Sequence, residues 1–135
     1  LVIGPPPVRE GDPAPDVIVE VDGERVPIAQ ASGDDAVLLF WDTTCGFCQQ
    51  IEADVLRRQD TVPLVVVLRG DSDAAVREAG FTVPVALDPT FGVGGALQAP
   101  GTPTAVRVRD GEIASTVAVG GPEVLNLLAS VRVMG

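Results

Sequence analysis

The chain has 135 residues, which suits one domain around a single modest core. Its content is 46% hydrophobic and 21% charged, the make-up of an ordinary globular domain, and its net charge of −10 argues against nucleic acid or anionic lipid, which require a basic patch. All nine basic residues are arginine and histidine is absent, which excludes a His-based triad, a histidine general base and histidine metal ligands.

The chain opens Leu1-Val2-Ile3-Gly4-Pro5-Pro6-Pro7 without a Met, and reads as a piece from which an upstream signal or anchor was removed. No apolar run approaches the roughly 18 residues of a membrane span. Residues 1–14 are Pro/Gly-rich and are expected as a flexible tail or linker remnant, with the folded domain over 15–135. Asp16–Val21 alternates, with Val17, Val19 and Val21 on one face, and Asp22-Gly23 signals a hairpin before Val26–Ile28. Ala36–Trp41 and Val62–Leu68 are short, nearly unbroken apolar runs, as in strands of a parallel sheet covered on both faces. Between them Gln49–Gln59 reads as a helix with Ile51, Val55 and Leu56 inward. A second helix is expected from a Ser72 cap through Ala79, with Gly80 at its exit. Val83–Leu87 suits a short strand, and Asp88–Leu97 a turn or weak helical segment. Thr104–Val108 and Ile113–Val119 flank a second hairpin signal, Asp110-Gly111, and Pro122 opens a last helix. The order implies a mixed α/β sheet with helices on both faces.

Both cysteines fall in Phe40-Trp41-Asp42-Thr43-Thr44-Cys45-Gly46-Phe47-Cys48, where the Ala36–Trp41 strand gives way to a helix. A helix start offers unpaired N–H donors and partial positive charge, both of which favour a thiolate at Cys45. Cys48, further in, is better shielded and near enough to close a disulfide, so one sulfur attacks and the other resolves. A static bridge over so short a loop would remove little unfolded-chain entropy. A zinc site needs four ligands, and the chain has no third cysteine and no histidine. Reversible redox exchange is the reading that uses the spacing, and it calls for no metal.

The pattern Trp41, Cys45-Gly46-Phe47-Cys48 after an apolar strand, with Gly101-Thr102-Pro103-Thr104 downstream, resembles the thioredoxin-like superfamily. More narrowly it resembles the TlpA/ResA-type extracytoplasmic thiol–disulfide oxidoreductases, from Gly11-Asp12-Pro13-Ala14-Pro15 through the final helix. The resemblance implies a thioredoxin-like fold preceded by an N-terminal β-hairpin, with Cys45 and Cys48 catalytic. It also implies that Pro103 is a cis-proline facing them, with Thr102 able to pair with an extended partner segment. Trp41 would pack beside the disulfide at the partner-binding surface. No dissociable cofactor is expected. Protein thiols and disulfides would be the partners, a membrane electron carrier could reset the pair, and the domain would act as a monomer outside the cytoplasm. The rival reading is a thioredoxin-fold binding module whose disulfide does not cycle.

The chain also departs from relatives. The buried carboxylate that many thioredoxins carry six positions before the first cysteine is here Leu39. ResA-like relatives place an acid after the second core strand, and Gly70-Asp71-Ser72 stands there. Asp71 is therefore a candidate for proton transfer from Cys48, or else simply a residue beside a helix start. The Gly46-Phe47 pair adds neither a cation nor a side-chain donor to the thiolate, unlike the Pro-His of DsbA-type oxidants. A mildly lowered Cys45 pKa and a moderately reducing couple are expected, nearer roughly −270 mV than roughly −120 mV.

Overall fold

The structure, a computed structural model, describes residues 8–131. A two-strand ribbon comes first: β1 (Ile18–Val21) and β2 (Glu24–Pro27) join through Asp22-Gly23, both with positive φ, 51° and 83°. That is the twist a two-residue hairpin loop needs. Pro27 has no N–H to extend the ladder, and α1 (Ile28–Ser32) begins where a strand was expected to run on; it buries Ile28 fully.

The core is β3 (Asp35–Trp41), α2 (Gly46–Arg58), β4 (Leu64–Leu68), α3 (Ala74–Ala79) and β5 (Val85–Leu87). Then follow α4 (Gly92–Ala96), β6 (Thr104–Arg109), β7 (Glu112–Ile113), β8 (Ala118–Val119) and α5 (Gly121–Ser130). The sheet runs β2-β1-β5-β4-β3-β6-β7, with β8 also on β6. β3, β4 and β5 are parallel, whereas β6 runs antiparallel to β3 in the register Phe40↔Thr104 to Asp35↔Arg109. At the far end of that pairing, Arg107 donates two hydrogen bonds to Asp35, at 2.9 and 2.7 Å.

Strand alternation sends side chains to two cores. Val37, Leu39 and Trp41 of β3 join Ile51 and Val55 of α2, Val76 of α3 and Val124 and Leu128 of α5. Leu38 and Phe40 face the other side, with Ile28 of α1 and Val93 of α4. Helices thus cover both faces, as expected. Asp88–Leu97 does contain a short helix, α4, whose first N–H groups are satisfied by the buried Asp88 carboxylate, which accepts from Val93 and Gly94.

Further boundaries differ from the sequence reading, and the N-cap of α3 is Asp73 rather than the expected Ser72. The segment read as one strand, Ile113–Val119, is broken into β7 and β8. The Ser115 hydroxyl takes the Arg107 N–H at 2.9 Å and so stands in for a ladder carbonyl. The helix at the cysteines begins at Gly46 rather than Gln49. Residues 8–14 of the expected tail dock on the second hairpin: Gly11 N–H donates to Ile113 O, Ile113 N–H to Asp12 O and Ala14 N–H to Gly111 O, each at 2.8 Å. The rest of that expected tail, residues 1–7, lies outside the described residues.

Phe91, at φ 58°, wedges its ring against Gly94, where an added Cβ would come within 2.3–2.6 Å of three ring atoms. Gly94→Ala is therefore expected to cost about 1–3 kcal/mol by overpacking. Gly95→Ala, with nothing within 4 Å, should be neutral or stabilising by about 0.5–1 kcal/mol, since alanine is the better helix former. Urea unfolding of the two variants checks the contrast.

Candidate active site

β3 ends at Trp41 and α2 starts at Gly46, so four residues make the turn. The Asp42 carboxylate locks it, accepting from Thr44 N–H at 2.9 Å and from the Thr44 hydroxyl at 2.8 Å. Such local bonds are why Asp and Thr favour turns. Cys45 N–H then donates to Asp42 O at 3.1 Å, and Cys45 O accepts the first helical bond, from Gln49 N–H at 3.1 Å. Cys45 is thus the N-cap, in extended backbone, at φ −82° and ψ 122°.

Cys45 and Cys48 are both free thiols, and their surroundings differ. Cys45 is half-buried. As a thiol it caps no N–H and instead donates to Thr102 O at 3.4 Å. Burial pushes its pKa up, but the net direction is down. Hydrogen bonds to the sulfur from the Thr102 side chain, the backbone N–H groups of Cys48 and Phe47 and the Cys48 thiol together outweigh that burial. Two of those donors are the unpaired N–H groups of the helix start. Cys48 is fully buried among Trp41, Ile51 and Val124. Desolvation pushes its pKa up to about 11, against the helping N–H of Asp42 and the Thr102 side chain and with the charge of Cys45 adding to the rise.

The loop opposite belongs to β6. The Thr102–Pro103 peptide bond is cis. The loop is held by the Thr104 hydroxyl, which donates to Gly101 O at 2.7 Å, and by Gly120 N–H on Pro103 O at 3.0 Å. Because β6 pairs antiparallel with β3, its start lies beside the end of β3, and Thr102 meets Cys45 there. Phe47, Thr102, Pro103 and Val119 line one open groove of about 310 Å³ next to the sulfurs.

Of the residues singled out from the sequence, Cys45, Cys48, Thr102 and Pro103 come together. Trp41 touches the same core but is 1% exposed, edge-on to Phe81 with ring centroids 5.6 Å apart. It shares that core with Cys48 and offers a partner almost no surface of its own, so the expected partner contact at Trp41 is corrected to core packing. Asp71 is exposed and lines a different depression, with Glu20, Arg25 and Leu87. Among the described residues no hydrogen bond or ion pair joins it to either cysteine. Sequence reasoning missed Val119, which reaches the groove only through the pairing of β8 with β6. It also passed over Phe47 as a surface contact, although the stripe Cys48, Ile51, Val55 leaves it on the outward side of α2.

No protein-family model and no curated protein sequence matches the chain; solved structures do. A thio-disulfide isomerase from Thermus thermophilus is 26% identical, over 93% of this chain and 100% of that one, with a TM-score of 0.67. The thioredoxin domain of a thiol-disulfide oxidoreductase from Bacteroides vulgatus is 17% identical, over 90% and 96%, with a TM-score of 0.68. A secreted disulfide oxidoreductase of Mycobacterium tuberculosis, homologous to E. coli DsbE, is 18% identical, over 86% and 96%, with a TM-score of 0.65. The fold is thioredoxin-like, with the N-terminal hairpin added. The solved structures that it resembles are thiol–disulfide oxidoreductases and isomerases.

The buried thiol has a consequence for stability. The chain has no lysine, tyrosine or histidine, so between pH 9 and pH 11 its side-chain titration is that of the cysteines. Cys48 has a raised folded pKa, so its contribution is fully present below the unfolded value and is lost as pH rises through about 11. The reduced protein should lose roughly 2–3 kcal/mol across that window. Cys48→Ala should abolish the loss, as read by urea unfolding in excess reductant.

Proposed function

We propose that the protein is a thiol–disulfide oxidoreductase that exchanges its Cys45–Cys48 pair with protein partners, in the reducing direction and outside the cytoplasm. One observation carries the reading. Two thiols within one turn of helix have opposite character, the accessible one acidified by helix-start N–H groups and the buried one held protonated.

The chemistry follows from that asymmetry. Cys45 thiolate attacks one sulfur of a partner disulfide. The partner's S–S bond breaks, a mixed disulfide forms at Cys45 and the other partner sulfur leaves as a thiolate. Cys48 then loses its proton, to that leaving thiolate or to water, and attacks Cys45 Sγ. The mixed disulfide breaks, the second partner sulfur leaves, and Cys45–Cys48 is oxidised. Two electrons have passed to the partner, and an external dithiol or membrane electron carrier must return two. No dissociable cofactor takes part in these steps. Extended backbone laid along Thr102 would hold the partner sulfur over Cys45.

Support for the reducing direction comes from what surrounds the thiolate. Only hydrogen bonds lower the Cys45 pKa, with no cation among the causes, so the reduced form is stabilised modestly. Support for the compartment comes from the secreted M. tuberculosis neighbour. The placement of Asp71 favours the simpler of its two roles, a surface residue before α3.

Insulin disulfide reduction tests the activity. Cys45→Ser should reduce turnover at least ~100-fold, in line with loss of a nucleophile. Cys48→Ser should accumulate mixed disulfides with clients. Inertness of wild type and mutant alike would instead indicate a binding module. In a dithiothreitol buffer the couple should lie nearer roughly −270 mV than roughly −120 mV, and a value above roughly −150 mV would contradict the reducing direction. Asp71→Asn should leave the pH profile of exchange unmoved.

A further inference from the structure

A helix start is ordinarily secured by a Ser, Thr, Asp or Asn at the N-cap, whose oxygen takes the N–H groups two and three residues on. In α2 that place belongs to Cys45, and the corresponding donors are the N–H groups of Phe47 and Cys48. The neutral thiol takes neither of them. Only the ionised sulfur caps this helix, so other groups must hold the turn whenever Cys45 is protonated or bonded to a partner. Gly46, next in the chain, brings no side chain to that task.

The restraint comes from the strand side. One oxygen of the Asp42 carboxylate accepts both the Thr44 N–H, at 2.9 Å, and the Thr44 hydroxyl, at 2.8 Å. The main chain of the same residue reaches both cysteines. Its carbonyl accepts the Cys45 N–H at 3.1 Å, and its N–H serves the Cys48 sulfur. Gln49 braces the turn from the helix, its side-chain amide donating to Thr43 O at 3.1 Å. We infer that Asp42 is a positioning residue for exchange: by binding Thr44, its carboxylate fixes the main chain that holds Cys45 at the helix start and Cys48 one turn in. This deepens the oxidoreductase reading and rests on it. The carboxylate acts as an acceptor and not as a charge. Among the described residues no hydrogen bond joins it to either sulfur, and the groups that bond Cys45 are Thr102, two N–H groups and the Cys48 thiol. A negative charge acting on Cys45 would oppose the thiolate, whereas the turn favours it. The two roles therefore give shifts of opposite sign when the carboxylate is removed.

The test titrates the reduced full chain and its variants by thiolate absorbance, and reads second-order rates with a short disulfide peptide at neutral pH by stopped flow. Asp42→Ala should move the Cys45 step up by about one pH unit, toward the ordinary thiol value. The thiolate fraction then falls about 10-fold while each thiolate gains about 3-fold in nucleophilicity, so exchange slows about 3-fold. Asp42→Asn keeps the acceptor oxygen, and should hold the step at or below its wild-type position with no loss of rate. Thr44→Val loses one of the two bonds and should move the step up by less; it decides the matter if Asp42→Ala fails to fold. Steps that move down in both Asp42 variants, and return as salt is raised, would reveal a charge effect and overturn the inference. So would a step unmoved by Asp42→Ala and Thr44→Val, or one that Asp42→Asn fails to restore. A wild-type chain that titrates in two steps yet exchanges with no disulfide would overturn the oxidoreductase reading, while the variants' titrations still report on Asp42.

Discussion

Everything at this site depends on where the sulfur of Cys45 is held: at the first cap of α2, with unpaired helix-start N–H groups on one side and Thr102 on the other. Hydrogen-bond donors fixed by backbone geometry stabilise a negative sulfur without any charged side chain, and they persist in a protein that carries ten excess negative charges. One helical turn on, the same helix drives Cys48 into the core, where desolvation works in the opposite sense. A single helix start thus gives one sulfur its reactivity and the other its patience.

The sheet serves this arrangement by rigidity and by direction. β3 delivers the turn from a strand buried along nearly its whole length, and β4 secures its end, with Arg69 N–H on Trp41 O at 2.9 Å. Because β6 runs antiparallel, the loop before it arrives at the same end as the cysteines, and β8 follows it there with Val119. The Asp35–Arg107 pair fixes the opposite end of the β3–β6 register. Slippage by one residue would invert every side chain of β6 and take Thr102 away from Cys45.

Much of this was legible beforehand, for identifiable reasons. Unbroken apolar runs announced β3 and β4, Asp22-Gly23 and Asp110-Gly111 announced the hairpins, and three-residue cysteine spacing announced the pair. A helix start near Cys45 was legible, but its exact boundary was not, because the turn is held by Asp42 through Thr44 and the cap residue itself contributes no side-chain bond. Helix α1 was hidden because Pro27 and Ile28 read equally well as the end of a strand. Trp41 was read as packing beside the disulfide where a partner binds; its 1% exposure, with its ring edge-on to Phe81 forty residues away, was not legible from its position in the sequence. The groove walls, assembled from α2, β6 and β8, exist only once the chain has folded.

The central claim is the split between two sulfurs, and the sequence itself makes it measurable. With no tyrosine in the chain, absorbance near 240 nm in the alkaline range follows thiolate formation without interference from tyrosinate. Titrated in the reduced state, the protein should show two separated steps: one below the ordinary thiol value, absent from Cys45→Ser, and one near pH 11. A single merged step at the ordinary thiol value, or an early step that survives in Cys45→Ser, would contradict the account.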